Sequence, residues 1–106
     1  MKLFEPFAIG TMSLRNRLVM PPMVTNFGTK DGYVTDRTKD YYEARAEGGV
    51  GLIIVEATCI DAPIGKLSPR QLVMDDDRYI PGLRELARVI QKHNARAAIQ
   101  LHHAGR

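Results

Sequence analysis

A chain of 106 residues is long enough for one small domain, and 44% hydrophobic with 25% charged residues is ordinary for a globular protein, excluding a fibre or a disordered tail. The single cysteine, Cys59, excludes an internal disulfide framework and a thiolate zinc cluster, in keeping with a reducing, cytoplasmic setting. The net charge of +3 is scattered among acids without a basic block, so nucleic acid is not an expected partner. No apolar run has the length of a signal-peptide core or a membrane span, so neither export nor membrane insertion is expected.

In chain order, Phe7-Ala8-Ile9 and Met12-Ser13-Leu14 flank Gly10-Thr11, the pattern of a β-hairpin with a two-residue loop. Leu18-Val19-Met20 reads as a short first strand, stopped where Pro21-Pro22 cannot donate to a ladder. Residues 21–34 carry turn formers at close spacing and form a long loop. Thr35-Asp36 supplies an N-cap and a first-turn acid for a helix over 37–47, ended by Gly48-Gly49.

The apolar, β-branched run from Val50 to Val55 fits a parallel strand covered on both faces, and it closes on Glu56-Ala57-Thr58-Cys59. A second long connection covers 60–78. Pro81 suits a first helical turn, and Leu83, Leu86, Ala87 and Ile90 share one face of a helix expected to reach about Asn94. A third strand is expected over 96–101. Strand, helix, strand, helix, strand is the alternation of βαβ units with parallel strands and right-handed crossovers. Both long loops follow strands, so they share one rim with Gln100-Leu101-His102-His103-Ala104-Gly105-Arg106. Three strands leave open edges and an uncovered face, so the pattern reads as an active-site rim lacking part of its wall, truncated at Arg106.

Leu3-Phe4-Glu5-Pro6, Leu14-Arg15-Asn16-Arg17-Leu18-Val19-Met20-Pro21-Pro22-Met23, Asp40-Tyr41-Tyr42, Gly48-Gly49-Val50-Gly51-Leu52-Ile53-Ile54 with Glu56-Ala57, and the closing Gln-Leu-His-His-Ala-Gly-Arg carry a family likeness. Together, and in order, they resemble the N-terminal third of the old yellow enzyme family, in the branch of 2,4-dienoyl-CoA and 2-enoate reductases. The resemblance implies an α/β protein: residues 1–106 as the N-terminal segment of a single FMN-binding (β/α)8 TIM-barrel domain. It also implies ene reduction, with hydride passing from NADH or NADPH through FMN to the activated C=C bond of an enone, enoate or enoyl-CoA. A full-length homo-oligomer is implied, and an iron–sulfur cluster and FAD are possible in a C-terminal region.

By the same resemblance Pro22, Met23 and Val24 match the segment whose backbone meets the flavin. Ala57 matches a small residue after the second strand that lets the backbone approach the ring. Gln100 matches the glutamine that bonds the pyrimidine side, where an amide both donates and accepts. Position 24 departs from the family pattern, since valine brings neither the hydroxyl nor the thiol often found there. No catalytic residue and no metal ligand is assigned: the proton-donating tyrosine, the substrate-anchoring pair and the phosphate grip belong to strands beyond Arg106.

Other polar residues have plainer readings. His102 and His103 are adjacent and point apart on a strand, so structural roles fit better than a shared metal. Arg106 suits an anion or a neighbouring carboxylate equally. Glu56 is either a carboxylate near the site or half of a buried ion pair ordering the rim, the structural role being preferred. Cys59 reads as inert packing, Asp75 to Asp77 as a solvated turn and helix start, and Tyr33, Tyr41, Tyr42 and Tyr79 as packing rather than as the catalytic acid. The competing function is a non-catalytic fragment or assembly module that keeps the barrel pattern without flavin; a small nucleic-acid-binding domain ranks below both.

Overall fold

The computed structural model describes residues 2–105. A 3-10 turn over Lys2–Phe4 leads into a hairpin of β1 (Phe7–Ile9) and β2 (Met12–Leu14), paired Phe7 to Leu14 and Ile9 to Met12. Gly10 turns the hairpin at φ +58°, a conformation open to glycine at no steric cost. β3 (Val19–Met20), β4 (Leu52–Cys59) and β5 (Arg96–His102) then form one parallel sheet in sequence order. Helices α1 (Asp36–Glu47) and α2 (Ile80–Gln91) make the two crossovers.

α1 starts as its sequence predicts. Thr35 Oγ1 accepts from the Thr38 N–H at 3.1 Å, and Thr38 Oγ1 accepts from the Thr35 N–H at 3.3 Å, a reciprocal capping box. Gly48 closes the helix, and Gly49 leaves it at φ +114°. α2 carries Pro81 in its first turn and buries Leu86 and Ile90. It stops at Gln91 rather than near Asn94; three more residues make tight turns, and Asn94 takes φ +66° to turn the chain into β5.

The core lies between helices and sheet: Met20, Ile53, Val55 and Ala95 meet Tyr42, Ala46, Leu86 and Ile90. Arg15, just after the hairpin, locks this layer at its amino-terminal end. Its guanidinium donates to His93 O at 2.6 Å, Ala46 O at 2.8 Å and Val50 O at 2.9 Å, gathering the last turn of α1 and the turns that follow both helices around one cation. Asn16 adds a bond from Nδ2 to Gly49 O at 2.7 Å. A Cβ at Gly51 would run into the Asn16 side chain, so this glycine is required by close approach.

β4 differs from the expected strand. It begins at Leu52 rather than Val50 and runs through Glu56-Ala57-Thr58 to Cys59, so Ala57 lies within the strand and not after it. The polar residues stay in the strand because they are satisfied inside: Thr58 Oγ1 bonds Glu56 O at 2.9 Å, and Glu56 meets partners from two other elements. β5 likewise extends one residue further, to His102.

Candidate functional site

The carboxyl ends of β3, β4 and β5 share one edge, where parallel α/β sheets collect ligands. The ladder between β4 and β5 pairs Val55 with Ile99 and resumes at Thr58 with Leu101. Glu56 and Ala57 therefore stand against Gln100 alone, a β-bulge of the kind that re-aims side chains beside functional sites. Val55 packs into the helix-side core, and Glu56, next in sequence, also reaches α1. Strict alternation is broken there, leaving the buried Ala57 methyl as a neighbour of Gln100 in the ladder.

Pro22, Met23 and Val24 follow β3 along the same edge. Their position against β4 is set one residue later: the Thr25 N–H donates to Glu56 Oε2 at 3.2 Å and Thr25 Oγ1 to Glu56 Oε1 at 2.8 Å. Among the described residues the backbone groups of Met23 and Val24 make no hydrogen bond, and neither does the exposed Gln100 amide. Met23 is half exposed beside them.

Glu56 is fully buried and has no ion-pair partner among the described residues; hydrogen bonds take that place. The Tyr42 hydroxyl donates to Glu56 Oε1 at 3.0 Å and accepts from the Glu56 N–H at 3.0 Å. Burial pushes the Tyr42 phenol far above its ordinary value; the hydrogen bond from the Glu56 N–H opposes the rise, and the carboxylate charge adds to it. With both hydrogen-bonding directions used, Tyr42 is a brace and not an acid. A phenol raised on folding stabilises the native state fully below its unfolded value of about 10, and that stability is lost as pH climbs past it. Denaturation curves between about pH 9 and pH 11 should show wild type losing stability faster than Tyr42→Phe. Parallel losses would remove Tyr42 from the alkaline transition.

The two long loops are knitted into one layer over this edge. The Val73 N–H donates to Gly32 O at 3.0 Å, Cys59 N to Leu72 O at 2.8 Å and Met74 N to Cys59 O at 2.9 Å. Lys66 Nζ reaches Lys30 O at 2.9 Å, and Tyr79 Oη reaches Asp31 O at 2.6 Å. Gln71, which sequence reasoning passed over, is fully buried; its Nε2 donates to Ala57 O at 2.9 Å while its Oε1 accepts from the Leu67 N–H at 2.6 Å. Thr25 was missed in the same way, and nothing in local sequence marks either residue, because each acts through a partner distant in the chain.

Cys59 is fully buried against Val73 and Tyr79, as packing. His102 stands opposite Cys59 in the ladder. His103 Nδ1 accepts from the Gly105 N–H at 2.9 Å, so Nε2 carries the proton toward Asp61 Oδ2 at 3.3 Å. Asp76 caps the 3-10 turn before α2 through the Arg78 N–H at 2.9 Å, and Asp75 ties the Ala62 N–H at 2.9 Å. Among the described residues no group of three His, Cys, Asp or Glu could hold a metal. Among the described residues no helix is long and apolar enough to cross a membrane. Arg106 lies outside the described residues.

Residues 2–106 match the model of the NADH:flavin oxidoreductase / NADH oxidase family. The chain belongs to this family. An NADH oxidase of Thermoanaerobacter brockii is 51% identical over 104 residues, covering 98% of the chain and 16% of that relative. An NADPH dehydrogenase of Geobacillus sp. (strain WCH70) is 47% identical over 105 residues, covering 98% of the chain and 31% of that relative. Among solved structures, a 2-naphthoyl-CoA reductase in complex with 2-naphthoyl-CoA superposes with TM-score 0.94 at 29% identity, over 99% of the chain and 16% of that protein. The old yellow enzyme of Pichia sp. AKU4542 superposes with TM-score 0.89 at 33% identity, over 98% of the chain and 28% of that enzyme. The chain thus spans a sixth to a third of these relatives, and its fold is that of the N-terminal part of a (β/α)8 barrel.

The residues present fit the flavin that this NADH:flavin oxidoreductase family implies. Among the described residues the unbonded amide of Gln100 and the unbonded backbone groups of Met23 and Val24 offer donors and acceptors along one edge, and the small side chain of Ala57 adds bulk no larger than a methyl beside them. A flat heteroaromatic ring with a polar margin suits that donor set.

Proposed function

We propose that residues 1–106 form the first three strands of a single FMN-binding barrel domain in an NAD(P)H-dependent ene reductase. The supporting observation is the bulge that sets the free Gln100 amide against Ala57 at the carboxyl edge of the sheet. In this reading the substrate is an enone, enoate or enoyl-CoA. The likeness to a reductase solved with 2-naphthoyl-CoA supports an acyl-CoA thioester among these.

FMN, when bound, supplies the relay of hydride between nicotinamide and the activated alkene. Gln100 holds its pyrimidine edge, giving and receiving hydrogen bonds through one amide. Met23 and Val24 present backbone groups, and Pro22 stiffens the approach to them. Val24 contributes backbone and bulk but no side-chain hydrogen bond, so tuning at this position falls to the main chain. Ala57 leaves room for the ring. The proton donor, the substrate-anchoring pair and the phosphate grip lie on later strands of the parent. A cytoplasmic homo-oligomer completes the reading. A parent as long as the Thermoanaerobacter brockii relative would have room for an iron–sulfur cluster and FAD.

Gln100→Ala in the intact protein should weaken FMN binding by about 1 to 3 kcal/mol, the cost of leaving a partner unpaired at a desolvated edge. Flavin titration followed by absorbance is the measurement. Equal affinities would take Gln100 out of the site, and an intact wild-type protein that binds no FMN would favour the assembly-module reading.

A further inference from the structure

We propose that Glu56 is a positioning residue for the flavin, acting through Thr25 and braced by Tyr42. The inference rests on the reading that FMN lies against residues 22–24, and it deepens that reading. A fully buried carboxylate without a cation is expensive, and its neighbours Ile53 and Val55 show that this strand buries aliphatic side chains readily. What the carboxylate does is specific. Oε2 accepts the Thr25 N–H at 3.2 Å, and Oε1 accepts Thr25 Oγ1 at 2.8 Å and the Tyr42 hydroxyl at 3.0 Å. Tyr42, anchored in α1 with no exposure, stops the carboxylate from following Thr25 if the loop moves.

The consequence for Val24 follows from peptide geometry. The Val24–Thr25 peptide is planar and trans, so its C=O points opposite to its N–H. Holding the Thr25 N–H on Glu56 therefore fixes the direction of the Val24 carbonyl, one of the unbonded groups on the flavin-facing edge. Thr25 Oγ1 also accepts from the Phe27 N–H at 3.2 Å, which carries the same restraint into the following loop. A preorganised acceptor costs nothing to orient when the ligand arrives, whereas a free one must be ordered at that moment. The buried carboxylate, held one residue past Val24, would be a second influence, since a negative charge there disfavours extra electron density on a flavin bound against residues 22–24.

The test uses the intact protein, with FMN affinity, flavin midpoint potential and apoprotein unfolding midpoint read for each variant. Glu56→Gln should weaken FMN about tenfold and move the midpoint to a more positive potential. Thr25→Ala, which keeps the carboxylate, should weaken FMN by a smaller factor, and Thr25→Ser should match wild type. If Glu56→Gln does not fold, the contrast between Thr25→Ala and Thr25→Ser decides the matter. Wild-type affinity and midpoint in Glu56→Gln and Thr25→Ala, with only the unfolding midpoint lowered, would reduce Glu56 to a structural residue. If Gln100→Ala loses flavin while the Glu56 and Thr25 variants do not, this proposal fails and the flavin reading stands. A wild-type protein that takes up no FMN overturns both.

Discussion

Replacing Arg15 with methionine in the intact protein is expected to cost about 3 to 5 kcal/mol of folding stability. Methionine keeps much of the aliphatic stem but removes the donors to His93 O, Ala46 O and Val50 O, all in partly buried surroundings. Ala46 O lies in the last turn of α1, where it also accepts the Gly49 N–H at 3.2 Å, and Val50 O and His93 O lie in the turns just past α1 and α2. Each hydrogen bond to a charged group contributes about 1.5 to 3 kcal/mol; the three are not additive, and desolvation of the guanidinium offsets part of the sum. Lysine should rescue little, since one ammonium cannot reproduce the planar fork that reaches both helix ends. Denaturant titration at constant m-value reads the change. A loss under about 0.5 kcal/mol would mean that water satisfies the three carbonyls in place of the guanidinium.

Residues 1–106 expressed alone should show no ene reduction with excess FMN and reduced nicotinamide, and should associate in solution. Three parallel strands cannot close a barrel that takes eight. β5 is an edge strand whose Leu101 is 60% exposed, and a groove of about 200 Å³ between α2 and β5 is walled by Leu83, Ala87, Ala97 and Ala98. At the other end Phe4 is 62% exposed on the segment leading into the hairpin. An open edge next to uncovered apolar surface is a template for pairing with another chain. Sedimentation and a stopped-flow reduction assay with an enone or enoyl-CoA examine both halves of the expectation. A monodisperse, flavin-loaded monomer that turns over would defeat the partial-barrel reading.

Local chemistry settles more of this protein than its size suggests. Gly10-Thr11 between two apolar triplets, Thr35-Asp36 before a helix-forming run with Gly48-Gly49 after it, and Pro81 before an amphipathic run each act within a few residues. Their structural outcomes follow from backbone sterics and nearby hydrogen bonds, and the hairpin, the presence of both helices and the order of three parallel strands are read correctly from them, although α2 ends three residues early. Tertiary structure decided the length of β4 and the character of the site. Glu56 and Thr58 look like a strand ending, yet the strand passes through them because Tyr42 and Thr25, 14 and 31 residues away, satisfy the Glu56 carboxylate. The bulge that sets Ala57 against Gln100 depends on register between two strands joined by a long crossover, and side-chain type alone does not encode register there. Gln71 and Arg15 acquire their roles in the same way, through carbonyls distant in sequence and without local periodicity. What one stretch of chain does to itself was readable in order; what a buried polar group does for another stretch waits on where packing puts its partner.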